Sequence, residues 1–149
     1  GGNLMEPHVK HALIKDGQIV EQFEPKKIRR VISEKTSRQL VEVLKSVVKT
    51  GTGKKAGLDG YDVAGKTGTA QKYNTETRSY SKTEFVSSFI GFAPADSPRL
   101  VILVMIDNPK GSHWGSVVAA PVFRKIAKKA LRYLNVPSSK ERVFILDRA

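Results

Sequence analysis

The chain has 149 residues, 40% apolar and 27% charged, enough for one small domain with its own core and too apolar for wholesale disorder. It has no cysteine, which excludes disulfides, thiolate chemistry and Cys-based zinc sites, and His8, His11 and His113 are too dispersed to suggest a metal centre. Lys and Arg outnumber Asp and Glu 26 to 14, a net charge of +12 that attracts polyanions, but the cations read as scattered and lack the interleaved aromatics of a base-stacking surface, so no nucleic-acid partner is expected.

No apolar run approaches the ~20 residues of a membrane span, and the longest, Leu100 to Ile106, has the length of a strand. The first residues carry neither the basic region nor the apolar stretch of a signal peptide. The expectation is a cytosolic protein, or one whose leader or anchor lies outside this chain.

In chain order, residues 7–23 predict a strand pair: Val9, His11 and Leu13 alternate, Asp16-Gly17 signals a hairpin turn, and Ile19, Val20 and Phe23 resume the pattern. Pro25 and the basic cluster at Lys26, Lys27, Arg29 and Arg30 interrupt it. Ser33 is placed to cap a helix over 34–49, with Leu40, Leu44, Val47 and Val48 on its apolar stripe and Gly51 to stop it. Residues 51–60 read as a flexible glycine-rich loop, Tyr61 to Gln71 as extended, and the polar stretch 72–84 as a surface loop. Phe85 to Ala93 and Leu100 to Ile106 are strands whose six-residue connection forces them antiparallel. A last helix runs from about Val117 to Leu134, regular from near Ala119 because Pro121 fits only a first turn. Val143 to Leu146 suggests a short final strand. This order implies an α+β fold, an antiparallel sheet with helices packed on it.

Two readings compete for one octapeptide. Gly60-Tyr-Asp-Val-Ala-Gly-Lys-Thr67 satisfies the phosphate-binding pattern G-x-x-x-x-G-K-[ST], and Val101 to Asp107 resembles a strand ending in a magnesium-binding carboxylate. A phosphate loop, however, needs a buried strand before it and a helix opening at the lysine. Here a glycine-rich coil precedes it, Gly68 follows, and Tyr61 and Val63 alternate as a strand. The other reading makes Lys66-Thr67-Gly68-Thr69 a strand beside a cleft. Its ammonium and hydroxyls suit a carboxylate, and Gly68 leaves room for a substrate backbone. Lys66 and Gly68 then face one way and Thr67 and Thr69 the other.

The stretch Val63-Ala-Gly-Lys-Thr-Gly-Thr-Ala-Gln71 resembles the third motif of the class B penicillin-binding proteins, the monofunctional cell-wall transpeptidases. So do Phe85-Val-Ser-Ser-Phe-Ile-Gly-Phe-Ala-Pro94, Leu100 to Pro109 and Trp114 to Phe123. The opening Gly1-Gly2-Asn3 with Glu6-Pro7-His8 is similar to the segment that follows the family's second motif. The similarity spans nearly the whole chain, in order. It implies the C-terminal portion, residues 1–149, of a transpeptidase domain of penicillin-binding-protein and serine β-lactamase type.

The resemblance also implies roles. Lys66 supplies charge near the substrate carboxylate; Thr67 and Thr69 donate hydrogen bonds to it; the Thr69 N–H joins the oxyanion hole. Thr69 to Gln71 pair with the substrate backbone, Gly68 admits it, and Trp114 walls the pocket. Lys66 and Thr69 are the implied catalytic pair. The implied partners are a peptidoglycan stem peptide, β-lactams, the upstream half of the same domain and a second copy of the chain. No cofactor or metal is implied. The implied location is the outer face of the bacterial cytoplasmic membrane, through an anchor outside this chain.

Two family motifs do not match. Ser-x-Asn is absent, and Ser-x-x-Lys occurs only as Ser46-Val-Val-Lys49 and Ser79-Tyr-Ser-Lys82, the first too close to Lys66 and the second beyond it. Both read as accidental, so the chain is expected to lack the nucleophile and to be inactive alone. Ser116 stands where the family commonly has a second glycine.

Overall fold

Fifteen residues into the chain, Asp16 and Gly17 both take positive φ, 52° and 76°, the pairing that a two-residue type I′ hairpin requires. The computed structural model describes residues 1–138 and falls into two compact units, Gly1–Leu40 and a second from Val41 onward.

In the first unit the hairpin joins β2 (Ala12–Lys15) to β3 (Gln18–Gln22), antiparallel in the register Ala12↔Gln22 to Lys15↔Gln18. The strands are shorter than the sequence predicts, because Val9 is fully solvated and has nothing to pack against. A second pair, β1 (Asn3–Met5) with β4 (Lys27–Arg30), corrects the reading of the basic cluster as an interruption. Every residue of both strands is exposed, so no apolar alternation marks them. The Lys26–Glu6 ion pair at 2.9 Å lies beside this ladder.

Helix α1 (Glu34–Lys49) has the predicted bounds, with the Thr36 N–H donating to Ser33 Oγ at 3.0 Å as an N-cap. The boundary between the units lies inside it.

The second unit opens with a correction. Residues 51–60 are not an open loop but a folded turn, including a single 3₁₀ turn at Lys54–Ala56. Gly53 is buried against Val48 and Phe89, where a β-carbon would press on both side chains at 3.3 Å. Then come β5 (Ala64–Asn74), β6 (Ser79–Ala93) and β7 (Leu100–Asp107), an antiparallel sheet in the order β5-β6-β7.

The predicted surface loop 72–84 is mostly ribbon: β5 and β6 run on past the core to a turn at 75–78, with Tyr73↔Tyr80 and Asn74↔Ser79 paired. The Asn74 side-chain carbonyl accepts from the Glu76 and Thr77 amides and shapes the turn. The ribbon's residues are nearly all exposed, so its sequence has no hydrophobic period.

The final helix is regular from Ala120, close to the start that Pro121 predicts, and a separate turn precedes it. This turn, α2 (Gly115–Val118), ends before Ala119, and α3 (Ala120–Tyr133) follows with Pro121 in its first turn. Phe123, Ala127 and Leu131 of α3 pack on Phe89 and Val104 of the sheet, with Phe89 and Phe123 ring centres 4.8 Å apart. The predicted strand at 143–146 lies outside the described residues. The architecture is α+β, as the element order implies.

Candidate active site

Lys66 is the third residue of β5, opposite Ile90. Thr67 and Thr69 face Phe89 and Ser87, both fully buried, whereas Lys66 and Gly68 face Ile90 and Ser88 on the other side of the sheet, where Ile90 is exposed. This alternation is the one the sequence predicts. It leaves Lys66 exposed, its Nζ donating only to the Thr67 carbonyl at 3.1 Å, with no ion-pair partner among the described residues. β5 has β6 along one edge and no strand along the other among the described residues, so one row of backbone groups is open to an extended peptide.

The two threonines are held by groups that no local pattern connects to them. Thr67 Oγ1 lies 3.0 Å from Thr52 Oγ1, where either hydroxyl can donate. Thr69 Oγ1 accepts from the Gly115 N–H at 3.3 Å, which leaves its own O–H free to donate. Gly115 opens α2 directly over the sheet: a β-carbon there would lie 2.6 Å from the Gly68 carbonyl and closer still to that of Ser88. Only glycine permits this approach. Just before it, the buried Ser87 hydroxyl donates to the His113 carbonyl, and the His113 ring stacks on Phe85 at 4.2 Å and 14°.

Trp114, between these anchors, is 58% exposed, with its ring 4.6 Å from His113. It stands beside the site and is not core packing. Gln71 lies further along β5, opposite Phe85, and is exposed. The predicted set is therefore assembled along one strand, with the Trp114 segment joined to it through Thr69 and Gly115. Thr52, Ser87 and Gly115 are additions. Of these only Ser87 left a trace in the sequence, as a hydroxyl at a core-facing position of an apolar strand.

The phosphate-loop reading is overturned. Lys66 lies within a strand, whereas that motif requires it at the first turn of a helix. Asp107 is paired with Lys72 at 2.9 Å, and this hydrogen bond raises the Lys72 pKa above its ordinary value. The two Ser-x-x-Lys serines lie elsewhere: Ser46, in the last turns of α1, donates to the Val43 carbonyl at 2.7 Å, and Ser79, beside the ribbon's turn, is 2.9 Å from Thr77 Oγ1.

Comparison with known proteins points to one family. A family model described as the penicillin binding protein transpeptidase domain matches residues 1–128. Stage V sporulation protein D of Bacillus subtilis is 42% identical over 146 residues, covering 96% of this chain and 22% of that protein. The solved D,D-transpeptidase domain of a peptidoglycan glycosyltransferase from Eggerthella lenta is 31% identical with a TM-score of 0.74, over 89% of this chain and 29% of that one. Penicillin-binding protein 3 of Mycobacterium tuberculosis, solved in complex with ampicillin, is 39% identical with a TM-score of 0.71, over 83% and 29%. The chain thus spans about a fifth of the length of the curated relatives it matches.

Proposed function

Since the chain belongs to the penicillin-binding protein transpeptidase family, we propose that it supplies the substrate-binding strand of a serine D,D-transpeptidase that cross-links peptidoglycan stem peptides. In this reading a serine outside the chain attacks a D-Ala-D-Ala stem, an acyl-enzyme forms, and an amine from a neighbouring stem resolves it. Lys66 presents its ammonium to the substrate's terminal carboxylate and to the catalytic hydroxyls. The Thr67 and Thr69 hydroxyls, on the face of the strand opposite Lys66, reach that carboxylate around its open edge, and the Thr69 N–H joins the oxyanion hole. Residues Thr69 to Gln71 add the substrate as a strand along the open edge of β5, Gly68 lets its backbone approach, and Trp114 walls the pocket. β-Lactams acylate the same serine, and no cofactor takes part. The chain alone is inactive. It is completed by the upstream half of the domain, without which it self-associates, and it works at the outer face of the bacterial cytoplasmic membrane.

The observation that carries this reading is Lys66, exposed on a strand with one open edge and without an ion-pair partner among the described residues. The test is labelling by a fluorescent penicillin of the chain alone and of a protein joining it to an upstream transpeptidase half. The joined protein is expected to label at the upstream serine, and Lys66→Ala to slow labelling about 10²-fold or more, the scale of a lost proton-transfer or charge-stabilising group. Labelling of the isolated chain at Ser46 or Ser79 would refute the proposal.

A further inference from the structure

The sequence reads the positive charge as scattered, but folding gathers much of it. Over its fourteen residues α3 carries Arg124, Lys125, Lys128, Lys129 and Arg132 and no acidic residue. Its apolar stripe, Ala120, Phe123, Ala127 and Leu131, is wholly buried, so all five cations lie on the exposed side. Lys55, from the neighbouring 3₁₀ turn, joins them: Lys55, Arg124, Lys125 and Lys128 line one hollow of 460 Å³. Lys125, Lys128, Lys129 and Arg132 line a second of 380 Å³. Arg124, Lys128 and Arg132 border a third, of 590 Å³, toward Tyr61 and Asn135.

Against these six cations stands one ion pair among the described residues, Arg124 with Asp59 at 3.4 Å. Some other cations of the chain are matched, Lys45 by Asp62 and Asp96, Lys72 by Asp107, Lys26 by Glu6 and Arg30 by Glu34, and others such as Lys66 are not; what sets this flank apart is that its unpaired cations adjoin one another. Among the described residues the charge of this flank is therefore largely uncompensated as well as concentrated.

We propose that the outward flank of α3, with Lys55 beside it, binds a soluble linear polymer carrying repeated phosphate groups. Three adjoining hollows that share Lys128, along a helix about 20 Å long, suit a chain of anions better than a single ion. A bilayer is flat, whereas these cations line a row of hollows, and Phe123 and Leu131 are spent on the core, leaving Val122, Ile126 and Tyr133 as the exposed large apolar side chains of the helix. Nucleic acid is disfavoured because two of the three hollows have no aromatic lining, and in the third the Tyr61 hydroxyl is tied to the Val136 carbonyl at 2.7 Å. Binding of this kind is driven by counterion release and falls steeply with salt.

The surface lies on the opposite side of the core helix from any role in acyl transfer, so its test is independent of enzymatic activity. Anisotropy of labelled long-chain inorganic polyphosphate, titrated with the chain over a range of salt, gives affinity and salt slope. K125Q/K128Q/R132Q, which leaves the Arg124–Asp59 pair intact, is expected to weaken binding about tenfold or more and to lower the slope by about three; K128Q alone should lower it by about one. The equally neutralised K26Q/K27Q/R29Q should lose less than about twofold. Equal losses in both triple variants would show general charge attraction and overturn the proposal. So would competition by orthophosphate at equal phosphate concentration. Tighter binding to phosphatidylglycerol vesicles or duplex DNA than to polyphosphate, lost in K125Q/K128Q/R132Q, would reassign the surface to a membrane or a nucleic acid.

Discussion

Two glycines near the site differ in what a methyl group would meet. At Gly68 the first obstacle is the Ser88 hydroxyl, 2.5 Å from the β-carbon position, and a hydroxyl can rotate away. At Gly115 the obstacles are the backbone carbonyls of Gly68 and Ser88, which can yield only if α2 lifts from the sheet. Gly115→Ala is therefore expected to cost about 1–3 kcal/mol, the scale of overpacking, and Gly68→Ala much less, read as melting temperatures. Ser87 gives a second residue-scale prediction. Removing its buried hydroxyl strands the His113 carbonyl, so Ser87→Ala should cost about 1 kcal/mol and loosen the segment before α2. Trp114, the single tryptophan, lies in that segment and reports on it directly. Its fluorescence anisotropy should fall in Ser87→Ala; unchanged anisotropy would show that the Ser87 bond does not hold the segment.

Lys45 of α1 links elements that are distant in sequence. Its Nζ lies 3.1 Å from Asp96, in the β6–β7 turn, and 3.2 Å from Asp62, just before β5, with Glu42 of its own helix at 3.4 Å. The hydrogen bond to Asp96 is the main reason its pKa stands above the ordinary 10.5, burial opposing and Asp62 reinforcing the rise. A lysine whose folded pKa is raised stabilises fully below its unfolded pKa and loses that contribution as pH climbs toward the folded value. The carboxylates are largely exposed, so screening holds the effect to about 0.5–1 kcal/mol. Lys45→Met should lower stability by that amount at neutral pH and in low salt, and the difference from the parent should shrink above about pH 10.5. Urea titrations across pH 7–12 measure it.

Much at this scale was legible in advance. Ser33, the apolar stripe and Gly51 all mark the same helix, and Asp16-Gly17 marks a turn by backbone sterics alone. The ribbon at 72–84 was not legible, because a two-stranded extension wet on both faces needs no hydrophobic period. Nor was the β1–β4 pair, whose strands meet across more than twenty residues with nothing buried to mark them. At the site, Lys66 to Thr69 could be placed on a strand from Tyr61 and Val63. The contacts made by Thr52 and Gly115 depend on how separate segments pack, which no local pattern encodes.

Across the second unit, one face of the sheet is covered and, among the described residues, the other is not. Val104 is buried beneath α3, with Ile102 and Ile106 packed against that core. The alternate residues of β7, Val101, Leu103 and Met105, are 69%, 55% and 62% exposed, and Ile90 of β6 joins them. A strand apolar in both phases is the signature of a sheet meant to be covered on both sides, so this face should associate when left open. Sedimentation velocity of the chain alone is expected to show concentration-dependent association, and V101K/L103K to shift it toward monomer with melting changed by no more than about 0.5 kcal/mol, as for other exposed substitutions. The same double substitution should act in the opposite direction in a protein that also carries the upstream half of the domain. If that half covers this face, two charges become buried without partners, at a cost of about 3–5 kcal/mol, and both melting temperature and penicillin labelling should fall. A joined protein that tolerates V101K/L103K would show that this face stays in solvent and that the two halves meet elsewhere.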